Sequence, residues 1–387
     1  MKSILSRLAA ATAVAGLLAV APHAQAADPI KIVALYNLSA GGLASIDGPS
    51  LNGAKLAAKQ INDAGGLLGG RMIEVVAIDT KNDLKEAATG AKRAVSMEGV
   101  VAGIGHSDTT FALASAPLFQ AKGIPFVTSG ATSPDLPDMV GNEMFLACFA
   151  DDVQAHAMAE YAYNTLGVHN IVIWTDNAMD YTKGLSKYFQ DRFTQLGGKV
   201  LLNDIYMTED KDFSALVSRL KANPDAQAVF ASSGPDTAGI IIKQIREAGI
   251  TMPILGGDGY DTDLVSTVPG EALANEVYFT THAYVGLDTG QANQFRAAYQ
   301  KEYGVPPENA FAALGYDALG LVADAIKRAG STDHAAVTAA LAATSNFPAV
   351  TGNIAFLNGS RVPSKPVAIM YVDHAKVNLK TTVTPKG

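Results

Sequence analysis

The order of apolar segments restricts this chain more than any other feature. A short run suited to a strand is followed by a longer segment with one apolar face, and the pair repeats. Ile30–Tyr36 (IKIVALY) reads as a buried strand. The next segment places Leu51, Ala54, Ala58 and Ile61 on one helical face and stops at Gly65-Gly66. Met72–Ile78 is a second strand, a helix follows over about Leu84–Met97, and Val100–Gly105 is a third strand. A helix from about Thr109 to Ala121 leads to a fourth strand, Ile124–Thr128. The rhythm restarts at Asn170–Trp174, with a helix over about Tyr181–Leu196 ended by Gly197-Gly198. Lys199–Tyr206 is a strand, and Phe213, Leu216, Val217 and Leu220 share one helical face. Ala226–Ser232 is a strand, and Ile241, Ile245 and Ala248 give the following helix its apolar side before Gly249. Pro253–Leu255 and Glu276–Thr281 close the series.

Alternation of this kind predicts an α/β fold, with parallel sheets covered by helices on both faces. The 387 residues suffice for two such units, at roughly 150 residues per domain. The two series, about 28–148 and 150–275, supply one each. The remaining helices near 290–303 and 309–328 and the strand Pro366–Asp373 are too little for a third unit, so they are expected to join the first two. Hydrophobic residues make up 48% and charged residues 17% of the chain, enough for large cores and unlike a disordered segment. A net charge of −8 with no run of Lys and Arg argues against nucleic acid as a partner.

The first 26 residues carry Lys2 and Arg7, an apolar run from Leu8 to Val20, and Ala24-Gln25-Ala26. This is the pattern of a signal peptide cleaved after Ala26. The apolar run is shorter than the roughly 20 residues that span a bilayer. With no Cys at the cleavage site, a soluble exported protein is expected. Cys148 is the only cysteine, which rules out an intramolecular disulfide and reads as a small buried apolar side chain.

Ligands on open α/β sheets sit outside the carboxyl ends of the strands. The segments there are Gly105–Thr110 (GHSDTT), Ser129–Leu136 (SGATSPDL), Thr175–Thr182, Ser232–Gly239 (SSGPDTAG) and Gly256–Asp261 (GGDGYD), none with Lys or Arg. Nucleophile-elbow, phosphate-loop, dinucleotide and zinc patterns are missing, so no enzyme activity, metal or cofactor is expected. His106, Ser107 and Asp108 are adjacent, and neighbours rarely adopt triad geometry. Ser107–Thr110 can cap a helix. The same free N–H groups and hydroxyls make an anion site, and Thr132 and Ser133 ahead of Pro134 offer another. Asp258 is a carboxylate in a Gly-lined turn. It would cap a helix, hold a metal with Asp261, or meet a ligand's ammonium. An anion site on one lobe and a carboxylate on the other fit a zwitterion such as an α-amino acid.

At this point the chain resembles the type I periplasmic binding proteins of ABC importers, specifically the branched-chain amino acid (Leu/Ile/Val) binding family. The resemblance runs from about 28 to 375 and is carried by ASIDGPSLNGAKLAAKQINDAGGLLGGRMIEVVAID, GIPFVTSGATSPDL, DFSALVSRLK and IIIKQIREAGITMPILGGDG in that order. It implies two doubly wound, Rossmann-like lobes joined by three hinge crossovers, a Venus-flytrap. Lobe 1 would hold 27–149 and 279–354, and lobe 2 would hold 150–278 and 355–387. It implies a periplasmic monomer, a small-molecule ligand, and an inner-membrane permease with its ATPase as partners. By the same match Thr109 and Thr132 meet the ligand carboxylate, with Ala131 beside them and the Gly130 carbonyl reaching the amino group. Asp258 binds the ammonium, Tyr181 closes from the second lobe, and Phe311 and Ile46 line the side-chain pocket. The chain departs from the pattern where Asp108 occupies a disulfide position, Gly234 an aromatic one, and Asp258 the place of a Glu. The departures tell against Leu, Ile or Val as ligand. A receptor of the same fold for an amide, urea-like compound or aromatic acid, or a sensor subunit, is the alternative.

Overall fold

The central strands are apolar on both faces along most of their length, and the computed structural model, which describes residues 28–384, shows why. In β1 (Ile30–Tyr36), Ile32 and Ala34 face one core and Val33 and Leu35 face another. A strand covered on both sides reads as a continuous apolar run rather than an alternating one. With β2 (Ile73–Asp79), β3 (Val100–Gly105), β4 (Phe126–Thr128) and β5 (Met144–Leu146) it forms a five-stranded parallel sheet, order β2-β1-β3-β4-β5. Helices α1 (Ala44–Asp63), α2 (Leu84–Ala94), α3 (Thr109–Gln120) and α4 (Leu136–Val140) connect these strands.

The chain then crosses to a second body. This holds α5 (Asp151–Asn164), β6 (Asn170–Asp176), α6 (Asp180–Gln195), β7 (Lys199–Tyr206), α7 (Ser214–Lys221) and β8 (Ala228–Ser232). It continues through α8 (Pro235–Glu247), β9 (Ile254–Gly256), a 3-10 turn at Asp258–Tyr260, α9 (Leu264–Thr267) and β10 (Val277–Thr281). A second crossover returns the chain to the first body for α10 (Gly290–Tyr303), α11 (Ala310–Ala329) and α12 (His334–Ala342). There α11 lies along α1 so closely that a Cβ at Gly53 would stand 1.8 Å from the Ala312 carbonyl oxygen. A third crossover ends in β11 (Val367–Asp373) and β12 (Lys376–Val383), which pair antiparallel and complete a seven-stranded sheet, order β12-β11-β10-β9-β8-β6-β7. Two doubly wound lobes joined by three crossovers are therefore present. Strand β10 belongs to the second sheet as far as Thr281, past the expected boundary at 278. The leader lies outside the described residues.

Several elements escaped the periodicity, among them α4, α9, α12 and β12 as well as β5 and α5. Strand β5 is three residues long, set by the pairing of Phe126–Thr128 with Met144–Leu146. The buried positions of α5 are mostly Ala (Ala155, Ala157, Ala159, Ala162), which give little contrast between its faces.

Candidate functional site

The carboxyl ends of both sheets face each other across a cleft, and the lobes are hydrogen-bonded across it. Gly42 N donates to Asp236 Oδ1 (2.5 Å), Asp180 N to Thr110 Oγ1 (3.0 Å), and Ala310 N to Asp261 Oδ2 (3.0 Å). The hydroxyls of Ser45 and Thr262 meet at 2.7 Å. This is a closed arrangement. It leaves a small cavity between the lobes, lined on one side by Leu43, Ile46, Ser107, Asp108 and Phe311. Met179, Tyr181, Gly234, Pro235, Asp258 and Gly259 line the other side.

Asp258 sits at the first position of the 3-10 turn after β9, 2% exposed. Its oxygens cap no helix. Oδ1 accepts from Gln154 Nε2 at 2.7 Å, and Oδ2 accepts from His282 Nε2 at 2.9 Å. Burial holds His282 below the ordinary imidazole range despite the neighbouring carboxylate, so the ring is a neutral donor. With the proton on Nε2, Nδ1 is a bare acceptor, and it has no partner among the described residues. The ring stacks on Phe149 at 3.9 Å between centroids. Gln154 is fully used. Its second Nε2 hydrogen goes to Asp151 Oδ1 (3.0 Å), and Oε1 accepts from Asp258 N (3.0 Å) and Thr280 Oγ1 (2.7 Å). Asp151 is pushed well above the ordinary carboxylate range, first by burial and then by the Asp258 charge, which favours its protonated form. Tyr181 Oη accepts from Gly259 N at 3.1 Å and stands beside the Asp258 carboxylate. The turn needs its glycines: a Cβ at Gly259 would lie 2.3 Å from the Ser233 carbonyl oxygen.

On the facing wall Asp108 begins α3. Its Oδ1 accepts from Thr110 N (2.8 Å) and Phe111 N (3.2 Å), the N-cap bonds that orphan helix donors require. Burial raises its carboxyl to about 6. Behind it, Asp47 in the first turn of α1 accepts from Asn37 N (2.7 Å) and Ser107 N (3.1 Å), tying the ends of β1 and β3 together. Burial raises Asp47 to about 7.

Of the expected residues, Ile46, Asp108, Tyr181, Gly234, Asp258 and Phe311 line this cavity. Thr109, Gly130, Ala131 and Thr132 do not. Thr109 Oγ1 accepts from Ser133 N (3.3 Å), and Thr132 lies against Asp151, accepting its N–H (2.7 Å). Gly130 packs behind Phe311 and Ser107. Sequence reasoning missed Gln154, Asp151 and His282. The signal for His282 was present, because it directly follows the strand end at Thr281. None of the lining residues is Lys or Arg, and among the described residues no group of His, Cys, Asp or Glu is arranged to hold a metal ion.

A family model described as periplasmic binding protein matches residues 29–377. The leucine-, isoleucine-, valine-, threonine- and alanine-binding protein of Pseudomonas aeruginosa is 28% identical over 354 residues, 91% of this chain and 91% of the relative. The leucine binding protein LivK of Thermotoga maritima shares the fold with a TM-score of 0.85 at 32% identity, covering 92% of this chain and 99% of its own. The branched-chain amino acid transporter substrate binding protein LivJ of Streptococcus pneumoniae, solved with isoleucine, gives 0.85 at 30% identity, over 92% of this chain and 100% of its own. The chain belongs to the periplasmic binding protein family, in its type I, branched-chain amino acid branch.

Proposed function

We propose that this protein captures a small zwitterion, an amino acid, in the cleft between its lobes and delivers it to an ABC importer. It works in the periplasm after cleavage of its leader behind Ala26, as a monomer that docks on an inner-membrane permease and its ATPase. Lobe 1, about 27–149 with 279–354, receives the ligand first. Lobe 2, about 150–278 with 355–387, then closes on it. One observation carries the reading. Asp258 is a buried carboxylate on a small cavity, its protein donors are a neutral amide and a neutral imidazole, and the lining supplies no cation. A buried carboxylate is costly unless paired, and a ligand ammonium completes the set. Tyr181 closes beside it, Phe311 and Ile46 take the apolar part of the ligand, and Gly234 widens that side of the pocket. Thr109 and Thr132 lie just outside the enclosed space and take the ligand carboxylate on the first lobe, with Ala131 beside them and the Gly130 carbonyl toward the amino group. The amino acids named for the relatives support the same ligand class.

Mass spectrometry of the small molecule that co-purifies with the protein, followed by calorimetry with that molecule, tests this. An α-amino acid is the expected result. A ligand without an amine, or catalytic turnover of the ligand during the titration, refutes it.

A further inference from the structure

We propose that Asp108 reads the ligand's side chain, and that the ligand is an amino acid whose side chain ends in a hydrogen-bond donor: a hydroxyl, an amide or an ammonium. The inference rests on the reading of the cleft as an amino-acid site. Asp108 is 3% exposed, and only one of its oxygens is needed by the helix it begins. Oδ2 is buried in the cavity wall with no hydrogen-bond partner among the described residues. Ser, Thr or Asn caps a helix about as well as Asp, so capping alone does not call for a second, charged oxygen in a dry wall. Leaving that oxygen unmet costs free energy.

No protein group is placed to meet it. The Thr110 hydroxyl, which accepts from Asp180 N, lies near the Asp108 carboxyl but makes no bond of hydrogen-bonding geometry to Oδ2. The Ser107 hydroxyl, in the same wall, lies near Asp47 without a bond of hydrogen-bonding geometry. The neighbouring ionisable groups, Asp47 behind and Asp180 across the cleft, are carboxyls, and Asp180 is paired with Lys183. His106, the nearest imidazole in sequence, is held neutral by burial, and its Nε2 is engaged with Ser115 at 2.9 Å. The donor therefore comes from the ligand. Around Asp108 the wall is apolar (Leu43, Ile46, Met179, Phe311), which suits a short hydrocarbon stem between the amino-acid head at Asp258 and the donor at Asp108.

Calorimetry on the mature protein tests this with two sets of ligands. One set is serine, threonine, asparagine, glutamine, ornithine and lysine. The other is alanine, valine, leucine and isoleucine. The tightest binder is expected in the first set, and its identity separates hydroxyl, amide and ammonium. Asp108→Asn keeps the cap and turns the free acceptor into a donor. It should weaken that ligand by about tenfold to a hundredfold while leaving the melting temperature near that of the parent. Asp108→Ala removes cap and acceptor together and should lower both. Leucine, isoleucine or valine as tightest ligand, with affinity unchanged in Asp108→Asn, overturns the inference and leaves the amino-acid reading standing. Binding of benzoate and of no amino acid overturns the amino-acid reading and this inference with it.

Discussion

Gln154 offers the sharpest test of how the site is held. Replacing it with Ala removes four hydrogen bonds: to Asp258 Oδ1, to Asp151 Oδ1, from Asp258 N and from Thr280 Oγ1. The bond to the Asp258 carboxylate alone is worth about 1.5–3 kcal/mol, and each buried polar group left unmet adds about 1–3. The vacated space is polar and large enough for water, which recovers part of the loss. About 3 kcal/mol should remain, roughly a hundredfold in Kd, because Asp258 loses the contact that orients it. Gln154→Glu keeps the shape but sets a third carboxyl between Asp151 and Asp258. Buried among like charges, it takes a raised pKa, so its penalty is present at high pH and relieved as pH falls. Calorimetry and thermal melts of both variants at about pH 5 and about pH 8 separate the two effects. Parent-like affinity in Gln154→Ala, or a Gln154→Glu variant indifferent to pH, would refute the account of Asp258 as a residue held by amide bridging.

Asp258→Asn should weaken an amine-bearing ligand by about a hundredfold or more, the scale of a broken buried ion pair. Calorimetry with the co-purifying ligand checks it, and unchanged affinity removes Asp258 from the ammonium role. Gly259→Ala forces a Cβ to 2.3 Å from the Ser233 carbonyl oxygen, and backbone cannot yield cheaply. A loss of about 1–3 kcal/mol in denaturant unfolding is expected, with binding impaired as Tyr181 is displaced. The burial-raised carboxyls of Asp47 (about 7), Asp108 (about 6) and Asp261 (about 6) fix the direction of pH dependence. A raised folded pKa favours the protonated native state. The stability these groups contribute is therefore full below the unfolded value of 3.8 and is lost as pH rises through 6 and 7. The ligand-free protein should melt at a lower temperature at about pH 8 than at about pH 5, and Asp47→Asn should flatten that slope.

Both sheets were legible because strands covered on two faces write nearly unbroken apolar runs, as Ile30–Tyr36 and Asn170–Trp174 do. The strand-end rule then brought Ser107, Asp108, Gly234 and Asp258 into view, and all four line the cavity. What stayed hidden depends on partners distant in sequence. Gln154 lies in a helix whose Ala-rich face gives weak contrast, and its role exists only because Asp258 and Thr280 fold onto it. His282 follows β10 directly, and only the folded sheet sets its ring beside Asp258. Thr109 and Thr132 were named by resemblance to relatives, and their hydroxyls lie outside the enclosed space. The charge state of Asp151 was unreadable, since it follows from burial beside another carboxylate.

The His282–Phe149 stack has a consequence for anyone altering the specificity of this receptor. Phe149 belongs to the first crossover and His282 opens the second, so the group that steadies Asp258 is also a bearing on which the lobes turn. Lys365, in the third crossover, donates to the Ala147 carbonyl at 2.7 Å and joins the remaining strand of the hinge to the first. Changes that reshape the Asp258 side would therefore retune the open–closed balance together with the preference for a ligand. Leu43, Ile46 and Asp108 stand on the opposite wall, away from these crossovers. That wall is where selectivity can be rewritten while the motion is left alone.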